Sequence, residues 1–187
     1  MMQIPYDKID NSWSLFLDRD GVINHEKKDD YIHHWGEFKF YDGVLDAMKE
    51  FAKTFSRIIV VTNQRGIGRG LTQPADLNLI HQNMTKEIIN QGGKLDAIYV
   101  APDINNDSPN RKPNPGMGLQ AIKDFPQILP AKSIMVGNTL SDMEFGRNLG
   151  MFTVFLATTR PEVDRKDARI DACFDSLLQF ARRLHLH

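Results

Sequence analysis

Five short stretches of the chain are almost continuously apolar: Ser14–Asp18 (SLFLD), Arg57–Thr62 (RIIVVT), Asp96–Ala101 (DAIYVA), Lys132–Gly137 (KSIMVG) and Met151–Leu156 (MFTVFL). They are rich in β-branched and aromatic residues and too short for helices, the pattern of strands covered on both faces of a parallel sheet. Between them the period changes. Val44, Leu45, Met48, Phe51, Ala52 and Phe55 recur at helical spacing, as do Leu77, Ile80, Met84 and Ile88, so each set marks one apolar helix face. Pro74 suits the first turn of the second helix, and Gly92-Gly93 its end. A third helix is predicted after Pro115 through Met117, Leu119 and Ile122. A fourth runs from about Ser141 to Leu149 with Gly150 as its stop, and a last one from Asp175 to Leu184. This alternation predicts an α/β, three-layer, Rossmann-like domain with a mainly parallel sheet. Right-handed crossovers then put all strand C-termini on one edge, where such sheets bind ligands. Gly21–Asp42 and Pro102–Pro115 lack either period. The first is too short for an independent cap, so the domain is expected to be capless, with residues 21–42 as a flap over that edge.

Composition narrows the picture. A length of 187 residues predicts one domain spanning 1–187. With 23 basic against 24 acidic side chains the net charge is −1, so the global basic field of a nucleic-acid binder is absent and no nucleic-acid partner is expected. The single cysteine, Cys173, permits no intrachain disulfide and no multi-thiolate site, and it is expected as packing. No apolar run approaches the roughly 20 residues that span a bilayer, so no membrane association is expected. The start, MMQIPYDKIDNSW, lacks a cationic segment followed by an apolar one, which predicts no secretory signal and a cytoplasmic location. The sequence does not reveal oligomeric state, and a monomer is the default.

The polar residues that are odd for structure follow the predicted strands. Strand one runs into Asp18-Arg19-Asp20-Gly21, strand two into Thr62-Asn63-Gln64, strand three is followed by Arg111-Lys112-Pro113, and strand four by Gly137-Asn138 with Asp142 beyond. A parallel sheet brings all four segments to one crevice. Two carboxylates two residues apart can divide their tasks, one as nucleophile and one moving protons. Crowded carboxylates repel, so a cation is needed to keep them ionised together, and hard oxygen donors with a phosphate suit Mg2+. A lysine and a threonine aimed at the same point would hold phosphoryl oxygens. Each residue alone has an ordinary explanation: Asp-x-Asp-Gly as a turn, Thr62 as a helix cap, Lys112 as a solvated charge, Asp142 as a first-turn acid. Their order, each at a strand end, is what argues chemistry.

With those residues in hand, the chain resembles the haloacid dehalogenase-like hydrolase superfamily. It is most similar to the branch holding D-glycero-D-manno-heptose 1,7-bisphosphate phosphatase and histidinol-phosphate phosphatase. The stretches that carry the resemblance are FLDRDGVIN at Phe16–Asn24, VVTNQRGIGRG at Val60–Gly70, RKPNPGM at Arg111–Met117 and VGNTLSDMEFGRNLG at Val136–Gly150. The resemblance implies Asp18 as nucleophile and Asp20 as general acid and base. It implies Asp18 and the Asp20 backbone carbonyl as Mg2+ ligands, with Asn138 and Asp142 as further ligand positions. Thr62 and Lys112 would hold the transferring phosphoryl group, and Asn63 and Arg111 would help bind or orient substrate. Lys112 and the Thr62 hydroxyl would stabilise transition-state charge. Asp20 would begin protonated, so its pKa should stand above that of Asp18. The implied activity is Mg2+-dependent hydrolysis of a small phosphorylated metabolite through an aspartyl-phosphate, with the 7-phosphate of a heptose 1,7-bisphosphate as best candidate and histidinol phosphate as alternative.

Two departures from the family pattern matter. Asn138 stands where the family carries a metal-ligating Asp. An amide oxygen still ligates but brings no charge, so weaker metal binding is expected. A weakly active or regulatory phosphate-binding protein is the alternative to an enzyme. Asp142 could ligate directly, through water, or act by orienting Lys112. The stretch Ala101–Asn110 carries no Cys and no His, where many relatives have a zinc loop, so no structural zinc is expected. Arg65 and Arg69 flank glycines after strand two and would either bind a distal phosphate or stay solvated. GIGRG lacks the glycine order of a dinucleotide fingerprint. His25, His33 and His34 offer no i,i+4 pair and are expected as ordinary flap residues.

Overall fold

The structure is a computed structural model and describes residues 2–186. Six strands form one sheet: β1 (Ser14–Leu17), β2 (Arg57–Asn63), β3 (Ala97–Ala101), β4 (Ser133–Gly137), β5 (Phe152–Leu156) and β6 (Ala172–Phe174). Their order is β3-β2-β1-β4-β5-β6, and every neighbouring pair is parallel. Six helices connect or follow them: α1 (Val44–Thr54), α2 (Arg65–Gly68), α3 (Pro74–Asn90), α4 (Gly116–Asp124), α5 (Leu140–Leu149) and α6 (Leu177–Arg183).

Alternate strand residues feed two cores, as the two-residue period of a strand requires. Leu15, Leu17, Ile58, Val60, Ile134 and Val136 face Val44, Met48 and Phe51 of α1, Met84 and Ile88 of α3, and Phe180 of α6. Phe16, Ile59, Val61 and Met135 face Met117 and Ala121 of α4 and Phe145 of α5. β1 is fully buried between β2 and β4. The chain runs outward from β1 through β2 to β3 and then crosses back to β4 on the other side of β1, which makes the C-terminal ends of β1 and β4 the switch point where ligands of such sheets sit.

Three features differ from the expectation. β6 is a sixth strand of only three half-buried residues at the sheet edge, too short to give a period. α2 is a four-residue turn containing two glycines, with no apolar face to detect. The last helix begins at Leu177, because Ser176 caps it by accepting from the Gln179 backbone N–H at 3.2 Å. The flap is irregular but anchored. His25 N–H donates to the Lys39 carbonyl at 2.9 Å and Tyr41 N–H to the Ile23 carbonyl at 3.1 Å, while Trp35, Phe38 and Phe40 pack together on the first core. Among the described residues no helix is long and apolar enough to cross a membrane.

Candidate active site

β1 pairs Leu17 with Val60 and with Val136. Asp18 continues that ladder by donating its N–H to the Val136 carbonyl at 3.0 Å, so its side chain is fixed where the central strand ends. Lys112 Nζ lies 2.9 Å from Asp18 Oδ1 and 2.6 Å from Asp142 Oδ1, with the lysine and Asp142 buried. Lys112 is delivered by a reciprocal backbone clamp: Asn63 Nδ2 donates to the Lys112 carbonyl at 3.1 Å, and Lys112 N–H donates to Asn63 Oδ1 at 3.0 Å. Asn63 therefore ties the end of β2 to the loop after β3.

Asp142 sits in the first turn of α5. Its Oδ2 accepts from Thr139 N–H at 3.0 Å and Thr139 Oγ1 at 2.7 Å, within a capping box. With Oδ1 on Lys112, both oxygens are engaged. A Cβ on Gly137 would lie 2.2 Å from Asp142 Cβ, so glycine lets the carboxylate stand this close to the end of β4. Of the three roles open to Asp142, this geometry matches orienting Lys112. Burial raises the Asp18 carboxyl to about 7, with Lys112 opposing and Asp142 and Asp20 adding to it. Burial also works against the Lys112 ammonium, but Asp142 and Asp18 outweigh it and hold the lysine charged, above its usual range.

Asp20 has a different environment. Arg19 Nη2 donates to its Oδ1 at 2.8 Å and its Oδ2 at 2.9 Å, Asn24 Nδ2 to Oδ1 at 2.9 Å, and Gln64 Nε2 to Oδ2 at 2.7 Å. Burial would raise this carboxyl, but the Arg19 guanidinium and the three donor groups outweigh it and hold it below its ordinary value. The expected order of the two acids is thus reversed in the free site. Asp20 is ionised because a buried cation and two amides surround it, whereas Asp18 lies between two other carboxylates. Gln64 Nε2 also donates to Thr62 Oγ1 at 2.9 Å, which joins the buried threonine to Asp20.

Asn138 is fully buried, and its Nδ2 donates to Thr159 Oγ1 at 2.7 Å and to Glu26 Oε2 at 3.4 Å. Its Oδ1 has no partner among the described residues. It packs against Gly21, where a Cβ would come within 2.0 Å of Nδ2 and where φ is +82°, two reasons for glycine at that position. The orphaned amide oxygen beside Gly21 would, together with the Asp18 carboxylate and the Asp20 carbonyl, make a hard oxygen donor set. That set suits a cation such as Mg2+.

A cavity of about 820 Å3 opens beside these groups, lined by Asp20 and Asn63, by residues 26–32 of the flap, by residues 159, 160 and 162, and by Arg65, Arg69 and Arg111. The three arginines meet neutral partners: Arg65 the Asn106 side-chain oxygen, Arg69 the Tyr31 hydroxyl at 3.3 Å, Arg111 the Asp103 carbonyl at 3.4 Å. Arg65 Nε is buried with no partner among the described residues. Burial and the neighbouring Arg65 charge pull Arg111 below its ordinary value. The flap histidines take separate partners: His25 packs against the Tyr41 ring at a tilt of 35°, His33 contacts Thr72 Oγ1 at 2.9 Å and Asp30 at 3.0 Å, and His34 lies 3.4 Å from Glu37. Asn114 Nδ2 braces the loop before α4 by donating to the Asn106 and Ser108 carbonyls at 3.2 and 2.8 Å.

Arg19, Asn24, Gln64, Glu26, Thr159 and His81 carried no assigned role in the sequence reading. Gln64 and Asn24 were visible as polar residues flanking the strand-end motifs. Arg19 was not, because an arginine between two aspartates reads as solvated, yet it is fully buried.

A carboxylate pair and a buried lysine at the switch point of a parallel sheet, beside a cavity with three arginines in its wall, suit a hydrolase acting on phosphoryl groups. A sequence profile of the HAD-hydrolase-like family matches residues 109–180. The D-glycero-alpha-D-manno-heptose-1,7-bisphosphate 7-phosphatase of Mycobacterium bovis is 35% identical over 176 residues, 94% of this chain and 93% of that protein. The D-glycero-beta-D-manno-heptose-1,7-bisphosphate 7-phosphatase of Haemophilus influenzae is 35% identical over 179 residues, 91% and 96% of the two chains. The crystal structure of D,D-heptose 1,7-bisphosphate phosphatase from B. bronchiseptica, complexed with magnesium and phosphate, aligns with TM-score 0.83 and 26% identity over 92% of this chain and 98% of that one. The chain belongs to the haloacid dehalogenase-like hydrolases, in the branch of the heptose bisphosphate phosphatases, and is a phosphoric monoester hydrolase.

Proposed function

We propose that this single-domain enzyme removes the 7-phosphate of a heptose 1,7-bisphosphate, with Mg2+ bound and Asp18 as nucleophile. The observation that carries the substrate reading is the wall formed by Arg65, Arg69 and Arg111, none of which forms a direct ion pair with a carboxylate among the described residues, although Glu26, Asp29, Asp30 and Glu162 line other parts of the same cavity. Crowded guanidiniums in a half-buried cavity favour a ligand with a second anionic group. They disfavour histidinol phosphate, whose far end carries an amine and an imidazole.

In this reading an Asp18 oxygen attacks phosphorus, the bond from phosphorus to the sugar oxygen breaks, and Asp20 gives that oxygen a proton. Water then attacks the aspartyl-phosphate, Asp20 takes its proton, and phosphate leaves with Asp18 restored. Asp20 acquires its starting proton when phosphoryl charge enters beside it, because a nearby anion raises a carboxyl pKa. Lys112, aimed by Asp142, and the Thr62 hydroxyl face the equatorial oxygens. The Asp18 carboxylate, the Asp20 carbonyl and Asn138 Oδ1 would hold Mg2+, which screens repulsion between nucleophile and phosphoryl group.

The test is a comparison of kcat/KM on heptose 1,7-bisphosphate, the corresponding 7-monophosphate and histidinol phosphate. The bisphosphate should be preferred. Arg69→Ala with Arg111→Ala should raise its KM by about tenfold or more, the scale of one lost charge-assisted hydrogen bond, with the monophosphate little changed. Preference for histidinol phosphate, or equal KM changes on both sugar phosphates, would overturn the substrate reading. Asn138→Asp should tighten Mg2+ half-saturation by roughly tenfold, the effect of one added charge at a ligand. It should also lower the melting temperature of the metal-free protein, since the new carboxylate would face Glu26. An unchanged Mg2+ titration would remove position 138 from the ligand set.

A further inference from the structure

Arg19 is among the largest fully buried side chains of the protein, and a buried guanidinium needs partners on every face. Two of its nitrogens grip Asp20: Nη2 meets both carboxylate oxygens, and Nε reaches Oδ1 at 3.3 Å. The third, Nη1, lies 3.0 Å from His81 Nε2. Arginine only donates, so His81 accepts at Nε2 and its ring proton sits on Nδ1. Burial and the facing Arg19 charge push the His81 imidazole down to about 3, which keeps it a neutral acceptor. His81 comes from the inward face of α3, beside Leu77, Ile80, Met84 and Ile88. A chain of contacts therefore runs from that helix through Arg19 to the carboxyl group that handles protons.

We propose that His81 and Arg19 are positioning residues for the general acid: His81 fixes the plane of the Arg19 guanidinium, and that plane fixes the direction in which Asp20 presents its carboxyl to the leaving oxygen. The proposal rests on the reading of Asp20 as proton donor. Its physical content is directional. Asn24 and Gln64 also hold Asp20, but neither brings a charge or meets both oxygens. Without an acceptor on Nη1, the guanidinium is free to rotate toward other partners, and the carboxyl turns with it.

Leaving-group dependence tests this, because a proton donor matters for a poor alkoxide leaving group and little for p-nitrophenolate. In His81→Leu, kcat/KM for the sugar phosphate should fall by on the order of tenfold to a hundredfold, the scale of a small misplacement of a catalytic group. The kcat/KM for p-nitrophenyl phosphate, which covers only the steps up to release of p-nitrophenolate and not the later attack of water, should change less than about twofold, because that leaving group needs no proton. His81→Gln, which restores an acceptor, should recover most of the alkyl activity. The ring edges an open cavity of about 660 Å3 between α3 and β3, so a leucine or glutamine at this position has room to be accommodated. Arg19→Lys, unable to bridge His81 and both Asp20 oxygens, should show the same selective loss and serves if His81→Leu does not fold. The control is Asp20→Asn. If Asp20→Asn discriminates between the substrates while folded His81→Leu and Arg19→Lys do not, the positioning proposal is wrong. If Asp20→Asn itself does not discriminate, the proton-donor reading fails and takes this proposal with it.

Discussion

Asp18→Asn is expected to lose turnover by on the order of 10^4-fold or more, the range seen when a sole nucleophile is removed. Asparagine keeps the shape of the side chain and the strand-end position set by the Val136 hydrogen bond, but its amide does not attack phosphorus. The substitution should be mild for the fold. Lys112 retains Asp142 at 2.6 Å, and the repulsion that Asp142 and Asp20 exert on the Asp18 carboxylate disappears. A well-purified Asp18→Asn protein should therefore melt near the parent temperature, bind phosphate, and release none from substrate. Retained activity would exclude Asp18 as nucleophile.

The second large effect is expected at Lys112, and it has two parts. Lys112→Met preserves length and removes charge. Catalysis should fall by on the order of 10^2 to 10^3, the cost of losing one preorganised donor at developing negative charge. Stability should also fall, by about 3 to 5 kcal/mol, because buried carboxylates lose their partner. The stability loss should shrink as pH falls below about 7, where Asp18 takes up a proton, and in the double variant Lys112→Met with Asp142→Asn. Urea midpoints of the single and double variants, beside kcat, separate the two parts. A stable Lys112→Met enzyme with parental kcat would mean that the ion pairs with Asp18 and Asp142 do no chemistry.

The fold was readable because its strands are apolar on both faces and its helices on one, so the period alone separated them. What was not readable had no period to show: β6 has three residues, and α2 contains two glycines in four. The four strand-end segments were readable as a site because a parallel sheet forces them together whatever the loops do. Their internal wiring was not. That Asn63 clamps Lys112, that Asp142 spends both oxygens on Lys112 and Thr139, and that Arg19 turns inward on Asp20 depend on rotamers, which spacing does not encode. The expectation that Asp20 stands above Asp18 in pKa failed for the same reason. It followed from the proton-donor role that the resemblance implies for Asp20, and in the metal-free site Arg19, the buried cation between the two acids in sequence, lowers Asp20 instead. His81 could have been suspected from its place on the apolar face of α3, where a histidine is out of character.

The central claim is that phosphorus becomes bonded to the Asp18 carboxylate. Rapid mixing of enzyme with substrate carrying labelled phosphate at C7, acid quench within a single turnover, and peptide mapping test it directly. The label should appear on the peptide containing Asp18, rise and decay with the kinetics of phosphate release, and be absent from Asp18→Asn. Label on any other residue, or full-rate phosphate release with no labelled protein at any time, would contradict the account.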